Sequence, residues 1–444
     1  MSALARYYNH AGSVVAGYDK TPSKITAQLE KEGISVHFED SLDLIPNEIR
    51  ETTDDTLVIY TPAIPSYLQE FQYFKERGYR LVKRSLALGE IASTKKTLAI
   101  AGTHGKTSTS TMLAHIITSS GEGCTAFLGG VSKNYHTNLL LSRSEYLVAE
   151  ADEFDRSFLQ LWPDTAIITS TDADHLDIYS NHQNIIEAFH AFASQVKSGG
   201  NLIVKCSLNL DFKLNEGVNF YTYSFDKGGD FHAEDISIEN GGYFRFTLVH
   251  PYGRIKECIV GIPGWVNVEN GIAASAAALL NGVAEEKVKI ALASFKGVER
   301  RFDIHINTPS IAYIDDYAHH PNEISAAISS IRNIFPNRKL TGIFQPHLYT
   351  RTRDFADQFA ESLNMLDELI MMDIYPAREL PIEGVNSEMI LNRMKLEKKR
   401  LVTKESLIEC VKSIEPDILI TFGAGDIDRF IDPLIEMLKK KYNV

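Results

Sequence analysis

The chain has 444 residues, a prior of about three domains, and its 44% hydrophobic and 23% charged residues are too apolar a mix for a disordered chain. With 45 basic and 58 acidic residues the formal net charge is −13, which argues against a nucleic-acid scaffold resting on a Lys/Arg face but leaves room for a local basic pocket around a phosphorylated small molecule. The four cysteines (Cys124, Cys206, Cys258, Cys410) form no C-x-x-C, no apolar run approaches the ~18 residues of a membrane span, and no signal-peptide pattern opens the chain; no disulfide framework is expected, and cytoplasmic residence is.

In chain order, a helix-like stretch over residues 2–8 comes first, with no strand before it. Residues 14–17, 34–38 and 57–60 read as strands and 21–31 as a helix; this alternation predicts a parallel sheet with crossover helices. Strand 98–101 then runs into a glycine turn and a long helix over 107–119, with later strands at 146–149, 166–169 and 202–205. Residues 218–260 change character. The alternation in Tyr243-Phe244-Arg245-Phe246-Thr247-Leu248, bounded by Asn240-Gly241-Gly242, predicts antiparallel hairpins, and an Ala-rich helix follows over 267–280. From about residue 297, apolar runs at 311–314, 341–344, 368–372 and 418–421 alternate with helix-length stretches, a second doubly wound α/β pattern. The expected class is α/β, with domains at 1–93, 94–298 and 299–444 joined by short hinges.

The strongest motif is Gly102-Thr103-His104-Gly105-Lys106-Thr107-Ser108, between a buried strand and a helix. Backbone N–H groups in such a turn converge on phosphate oxygens, and the helix N-terminus adds partial positive charge. Lys106 would reach the β- and γ-phosphates, and the Thr107 hydroxyl would ligate Mg²⁺. The spacing is a shortened phosphate loop, because Ile100 stands where the first glycine of the longer pattern falls.

Two acidic clusters follow at strand ends, where open α/β sheets bind ligands: Glu150-Ala151-Asp152-Glu153-Phe154-Asp155 and Asp172-Ala173-Asp174-His175-Leu176-Asp177. Hard oxygen ligands suit Mg²⁺, which takes only one or two of them beside phosphate and water. Further on, Arg300-Arg301-Phe302, Asp315-Asp316-Tyr317-Ala318-His319-His320-Pro321 and Gln345-Pro346-His347-Leu348-Tyr349-Thr350-Arg351 offer Arg, Asp/His and His/Arg at successive strand ends. A cationic lip of this kind suits an anionic substrate and a developing phosphoryl charge. Gly423-Ala424-Gly425-Asp426 is a weak cofactor signal and reads equally well as a tight turn.

Together with Asn267-x-x-Asn270 and Tyr349-Thr350-Arg351-Thr352-Arg353-Asp354, these motifs make the chain closely resemble the Mur ligases, ATP-dependent amide-bond ligases of peptidoglycan synthesis. The resemblance implies three domains: a Rossmann-like UDP-sugar-binding domain, a central P-loop ATPase domain with a parallel sheet plus a small antiparallel sheet, and a Rossmann-like C-terminal domain that binds the amino acid. Among Mur ligases it points to ligation of L-alanine to UDP-N-acetylmuramate with ATP and two Mg²⁺ ions, through an acyl phosphate. A peptide-recycling ligase of the same family and a non-catalytic nucleotide-binding protein are the alternatives.

By the same resemblance, Gly102, Thr103, His104, Gly105, Lys106, Thr107 and Ser108 hold ATP, with Asn267 and Asn270 at the adenine and Arg301 and Asp316 on the nucleotide. Thr107 and Glu150 join the first metal, and His175 ligates the second. Lys106, His175, Arg301, His319, His347 and Arg351 are the implied catalytic set, the last three at the amino-acid and muramoyl end. Asp19 and the Thr61-Pro62-Ala63-Ile64 turn would meet the uridine diphosphate. Trp265-Val266 and Leu348 stand where the family often has Arg-His and Arg. The family begins with a strand and a Gly-x-Gly-Gly-x-Gly-Met-Ser turn, and this sequence starts at that Met-Ser, so weak UDP-sugar binding is expected.

Overall fold

The computed structural model describes residues 1–444 apart from Ala63, Ser66, His175, Lys227, Asn240 and Arg378, and apart from the side chains of Leu176 and Asp177. The expectations at Ala63, His175 and Asn240 therefore lie outside the described residues. The chain divides into two compact units: Met1–Ala233 with Leu248–Ile255 and Gly271–Leu292, and Glu234–Thr247 with Lys256–Asn270 and Ala293–Val444. Among the described residues no helix is long and apolar enough to cross a membrane.

The first unit is built on a seven-stranded sheet in the order Asn219–Tyr223, Asn201–Lys205, Thr165–Ile168, Lys96–Ala101, Tyr146–Ala151, Thr125–Ser132, Thr137–Leu140. All neighbours are parallel except the last pair, an antiparallel edge. The middle strand is near-continuously apolar, and Leu98, Ala99, Ile100 and Ala101 are fully buried, as a strand covered on both faces requires. Its parallel partners bring three strand ends side by side at Ala101, Ala151 and Ile168. The phosphate loop and both acidic clusters leave the sheet there.

The first ninety-odd residues form two short parallel pairs, Ala16–Tyr18 with Ser35–His37 and Leu57–Tyr60 with Arg80–Lys83. The helix Lys24–Lys31 starts three residues later than expected because Ser23 caps it, its hydroxyl accepting the Thr26 N–H while the Thr26 hydroxyl accepts the Ser23 N–H. Helix Ser2–His10 is fastened by the buried Arg6, whose guanidinium donates to Glu32, Gln28 and, on the edge strand Thr137–Leu140, to Asn138.

One expectation is corrected. Residues 219–223 are not part of a hairpin; they add a parallel edge strand beside Asn201–Lys205. The dozen or so residues between the two are long enough for a crossover. The small sheet begins later, with His232–Ile238, Phe244–His250 and Gly253–Ile259 in that order. Their connecting turns are too short for parallel crossovers, so the three strands form a meander.

The second unit carries a six-stranded sheet in the order Asp303–Asn307, Ala312–Asp316, Ile418–Phe422, Leu340–Phe344, Glu368–Met372, Lys399–Val402. The first pair is antiparallel and the rest are parallel. Apolar clusters line both faces, one around Ile314, Ile324, Phe344 and Phe359, the other around Tyr313, Ile343, Leu407 and Leu434. Three adjacent strands end at Asp316, Phe422 and Phe344. Those ends present Tyr317–His320, Gly423–Asp426 and Gln345–Arg351 together.

Candidate functional site

In the first unit, Gly102 takes a φ of +139°, and a Cβ there would stand 2.0 Å from Thr169 Oγ1 and 2.9 Å from Ser170 N, so only glycine fits. The neighbouring strand end then laces the loop. Ser170 Oγ accepts the His104 N–H at 2.7 Å and lies 2.9 Å from Thr103 Oγ1, while Thr169 Oγ1 donates to Ala101 O at 3.1 Å. Gly105 turns left-handed (φ +81°) into helix Lys106–Ser119, leaving the first-turn N–H groups of Thr107 and Ser108 at the helix start. His104 adds a 3.2 Å contact from Nε2 to the Asp172 carboxylate, joining the loop to the second acidic cluster.

Lys106 is held in place by groups of the chain itself. Its ammonium donates to Gly102 O at 2.6 Å and to both carboxylate oxygens of Glu153, at 2.7 and 3.0 Å. The two side chains are 12% and 2% exposed. Burial pulls the lysine's pKa down, but the carboxylates of Glu153, Asp152 and Glu150 outweigh it and hold the group above the ordinary lysine range. The Tyr179 hydroxyl donates to Glu153 O at 2.6 Å and steadies that partner. Glu153 carries no role in the sequence reading. Its place in an acidic run was visible; which of four carboxylates would face the lysine was not.

The other carboxylates of that run are distributed with equal definition. Glu150 Oε2 accepts the Thr107 hydroxyl at 2.9 Å, bringing together the two residues expected at one metal. Asp152 binds Arg84 at 3.0 Å and Asp155 binds Lys83 at 3.0 Å. Asp155 and Arg156 are consecutive left-handed residues (φ 54° and 53°), a strained turn that spreads these side chains. Gly129, on the neighbouring strand, is the second residue the sequence did not flag: a Cβ there would lie 2.0 Å from Glu150 Oε2. Asp174 is buried, and among the described residues no group of three His, Cys, Asp or Glu side chains gathers as a metal centre. Asp19 is exposed and accepts the Thr21 N–H at 3.2 Å, while Thr61 O accepts the Ile64 N–H at 3.2 Å, closing the expected turn.

In the second unit, Asn267 and Asn270 are both buried, one turn apart on helix Trp265–Leu280, with Asn267 Nδ2 donating to Pro263 O at 2.7 Å. The twin arginines divide. Arg300, at φ +61°, sends Nε to Asp315 at 3.2 Å and NH2 to Gly423 O at 2.6 Å, an interior network completed by the Thr421 hydroxyl donating to Asp315 at 2.6 Å. Arg301 lies over the Tyr317 ring at 4.7 Å. Asp316 accepts the N–H groups of Phe302 (3.1 Å) and Ala318 (2.9 Å).

Burial lifts the Asp316 carboxyl to about 7, with Arg301 and the Ala318 N–H opposing and the carboxylates of Glu323 and Asp315 adding to the rise. A carboxyl raised in the folded state favours folding below its unfolded pKa of about 4, and that contribution disappears as pH rises through about 7. Unfolding midpoints in urea should therefore fall between pH 5 and pH 8 by the equivalent of about 2–4 kcal/mol, and Asp316→Asn should remove most of that slope. A slope unchanged in the variant would place the titration elsewhere.

The two histidines of His319-His320 also separate. His320 caps helix Pro321–Ile334, its ring accepting the Asn322 N–H, with Glu323 reaching back to the cap. His319 instead lies beside His347, ring centroids 5.9 Å apart, with Nδ1 donating to Tyr317 O at 3.0 Å. Buried Arg351 donates to His347 Nδ1 at 3.4 Å. The Gly423-Ala424-Gly425-Asp426 turn wraps the fully buried Gln345: Gln345 Nε2 donates to Asp426 at 2.8 Å, and its Oε1 accepts the Ile427 N–H at 3.0 Å. These hydrogen bonds fit the tight-turn reading.

Three family models match most of the chain: Mur ligase family, catalytic domain, at residues 1–96; Mur ligase middle domain at 100–278; and Mur ligase, glutamate ligase domain, at 300–425. A UDP-N-acetylmuramate–L-alanine ligase of Phocaeicola vulgatus is 49% identical across 99% of this chain and 96% of its own length. One of Parabacteroides distasonis is 50% identical across 99% and 95%. The crystal structure of UDP-N-acetylmuramate-alanine ligase from Thermotoga maritima superposes with a TM-score of 0.82 at 28% identity, covering 99% of this chain and 96% of that one. Three models of the one family, together with relatives about half identical across 99% of this chain, show that the chain belongs to the Mur ligase family.

Proposed function

We propose that this protein ligates L-alanine to UDP-N-acetylmuramate, consuming ATP, in the synthesis of peptidoglycan precursors. Its full-length identity of 49–50% to curated alanine-adding ligases is the observation that carries this reading. ATP and a nucleotide sugar as substrates support a cytoplasmic location for the reaction. The three-domain division at 93/94 and 298/299 belongs to the same reading.

In the first step a lactyl carboxylate oxygen attacks the γ-phosphorus, the bond to the ADP oxygen breaks, and an acyl phosphate forms. Phosphoryl transfer needs mainly positioning and charge neutralisation. Lys106 supplies both: its ammonium exchanges Glu153 for the β- and γ-phosphate oxygens, a trade of one anion for another within a site already shaped for a charge. The N–H groups of Thr107 and Ser108, at the start of helix Lys106–Ser119, orient the phosphates. In the second step the alanine amine attacks the acyl carbon, the C–O bond to phosphate breaks, and phosphate leaves. The amine must shed a proton; His319 and His347 are the candidates to take it, His347 only by giving up the hydrogen bond its Nδ1 accepts from Arg351. Asn267, Asn270, Arg301 and Asp316 serve the nucleotide, and Asp19 and Thr61 the uridine diphosphate.

The donors 2.9 Å apart at Thr107 and Glu150 are the hard oxygens that Mg²⁺ takes, and His175 is assigned a second ion. Bound there, Mg²⁺ neutralises phosphate charge. Gly129→Ala drives a methyl into Glu150 Oε2 without touching the loop. Its Mg²⁺ requirement should rise about tenfold, as should that of Glu150→Gln. Magnesium titrations that overlay the wild type for both variants would remove Glu150 from the metal. The function itself is tested by trapping: ADP release and hydroxylamine-trapped acyl product should both require UDP-N-acetylmuramate. ATP hydrolysis indifferent to that substrate would overturn the reading.

A further inference from the structure

We propose that Glu379 and Tyr375, on the segment that follows strand Glu368–Met372, are positioning residues that set the geometry of His347 and Arg351 for the amino-acid step; the inference rests on the function proposed above. Helix Tyr349–Asp354 carries Arg351, yet its N-cap is Leu348, at φ +72° and with no side-chain cap of its own. The cap arrives from 29 residues away. The Glu379 carboxylate accepts the Thr350 N–H at 3.0 Å and the Thr350 hydroxyl at 2.5 Å. A carboxylate at that end also complements the helix dipole.

Tyr375 holds the residues just before the helix. Its N–H donates to Pro346 O at 2.8 Å and its C=O accepts the Leu348 N–H at 3.0 Å, bracketing His347 in a short parallel bridge. This bracket stabilises Leu348 at its positive φ, a conformation strained for any residue with a side chain. The Tyr375 ring stacks on the His347 imidazole (5.8 Å, 20°), and His319 meets that imidazole edge-on. Arginine can only donate, so His347 Nδ1 accepts from Arg351 and the ring proton sits on Nε2. Gly425 permits the arrangement: a Cβ there would stand 2.7 Å from Tyr375 Cβ and 2.5 Å from Gln345 Oε1. Ring plane, tautomer and helix start are thus all held by one segment that contributes no group to the chemistry.

The test uses the full chain. Glu379→Ala and Tyr375→Ala should each raise the KM for L-alanine by about 10- to 100-fold while the KM for ATP stays within about twofold. Glu379→Gln and Tyr375→Phe should stay within about threefold of wild type, because one keeps an acceptor and the other keeps the ring. Imidazole ¹⁵N spectra give a readout independent of turnover: His347 should show a defined Nε2–H tautomer in the wild type and an averaged signal in Glu379→Ala. An unchanged alanine KM together with an unchanged His347 signal would overturn the proposal. So would KM values for alanine and ATP rising in parallel with a fall in Tm, the mark of a merely structural role. A wild type that makes no alanine product but loses the His347 signal in Glu379→Ala would sink the proposed function and leave the positioning intact.

Discussion

Replacing Lys106 with alanine is expected to cut ATP turnover by about 10³-fold or more and to destabilise the protein as well. The first effect follows from the loss of the only cation the loop offers to the phosphates. The second follows from Glu153. With its side chain 2% exposed and its ammonium partner gone, its carboxylate becomes an unpaired buried charge, typically a cost of about 3–5 kcal/mol. Sequence reasoning alone expects the fold to be indifferent to this change, since a phosphate-loop lysine is placed for charge rather than packing. Lys106→Ala/Glu153→Gln separates the two effects: it should recover most of the stability and none of the turnover. Urea unfolding of the single and double variants, alongside ADP release, is the measurement. A single variant as stable as the wild type would mean that Glu153 finds water or another partner when the lysine leaves.

Arg300→Ala should be the most damaging single change in the C-terminal sheet, again by about 3–5 kcal/mol. It strands Asp315, which is 0% exposed, and removes the donor to Gly423 O. Burial already raises the Asp315 pKa, with the Arg300 charge and the Thr421 hydroxyl opposing the rise, so loss of the guanidinium pushes this carboxyl towards its protonated form. Arg301→Ala, one residue on, should lower turnover through the nucleotide but cost less in stability than Arg300→Ala, because the Asp316 carboxyl, already lifted to about 7, can stay protonated when this guanidinium leaves. Denaturation midpoints of the two alanine variants give the comparison. Equal midpoints would show that the interior network is not the role of Arg300.

The contrast between neighbours marks where sequence stops being informative. Arg300 and Arg301 look alike in a string, as do His319 and His320; which of each pair turns inward depends on the left-handed backbone at Arg300 and on the helix start at Pro321. Most buried parallel strands were legible because they are near-continuously apolar, as in Leu98-Ala99-Ile100-Ala101, whereas Thr125–Ser132, broken by Gly129 and Gly130, was missed. The edge strands Asp303–Asn307 and Lys399–Val402 were not, since half of their residues are polar or charged. Alternation made residues 219–223 look like part of a hairpin, and only the length of the preceding connection distinguishes a parallel edge strand. The placing of the glycine turn and the acidic run at adjacent strand ends could be read from the sequence, because each directly follows a buried apolar strand. The pairing of Lys106 with Glu153, and the grip of Glu379 on Thr350, depend on tertiary placement between segments 47 and 29 residues apart.

The most direct measurement is mass spectrometry of the product formed from UDP-N-acetylmuramate and ATP when L-alanine competes with an equal concentration of the tripeptide L-alanyl-γ-D-glutamyl-meso-diaminopimelate. The expected result is a single UDP-sugar product, heavier than UDP-N-acetylmuramate by one alanine residue and formed in step with ADP. Transfer of the tripeptide, or ATP consumption with no UDP-sugar product, would contradict the proposed function.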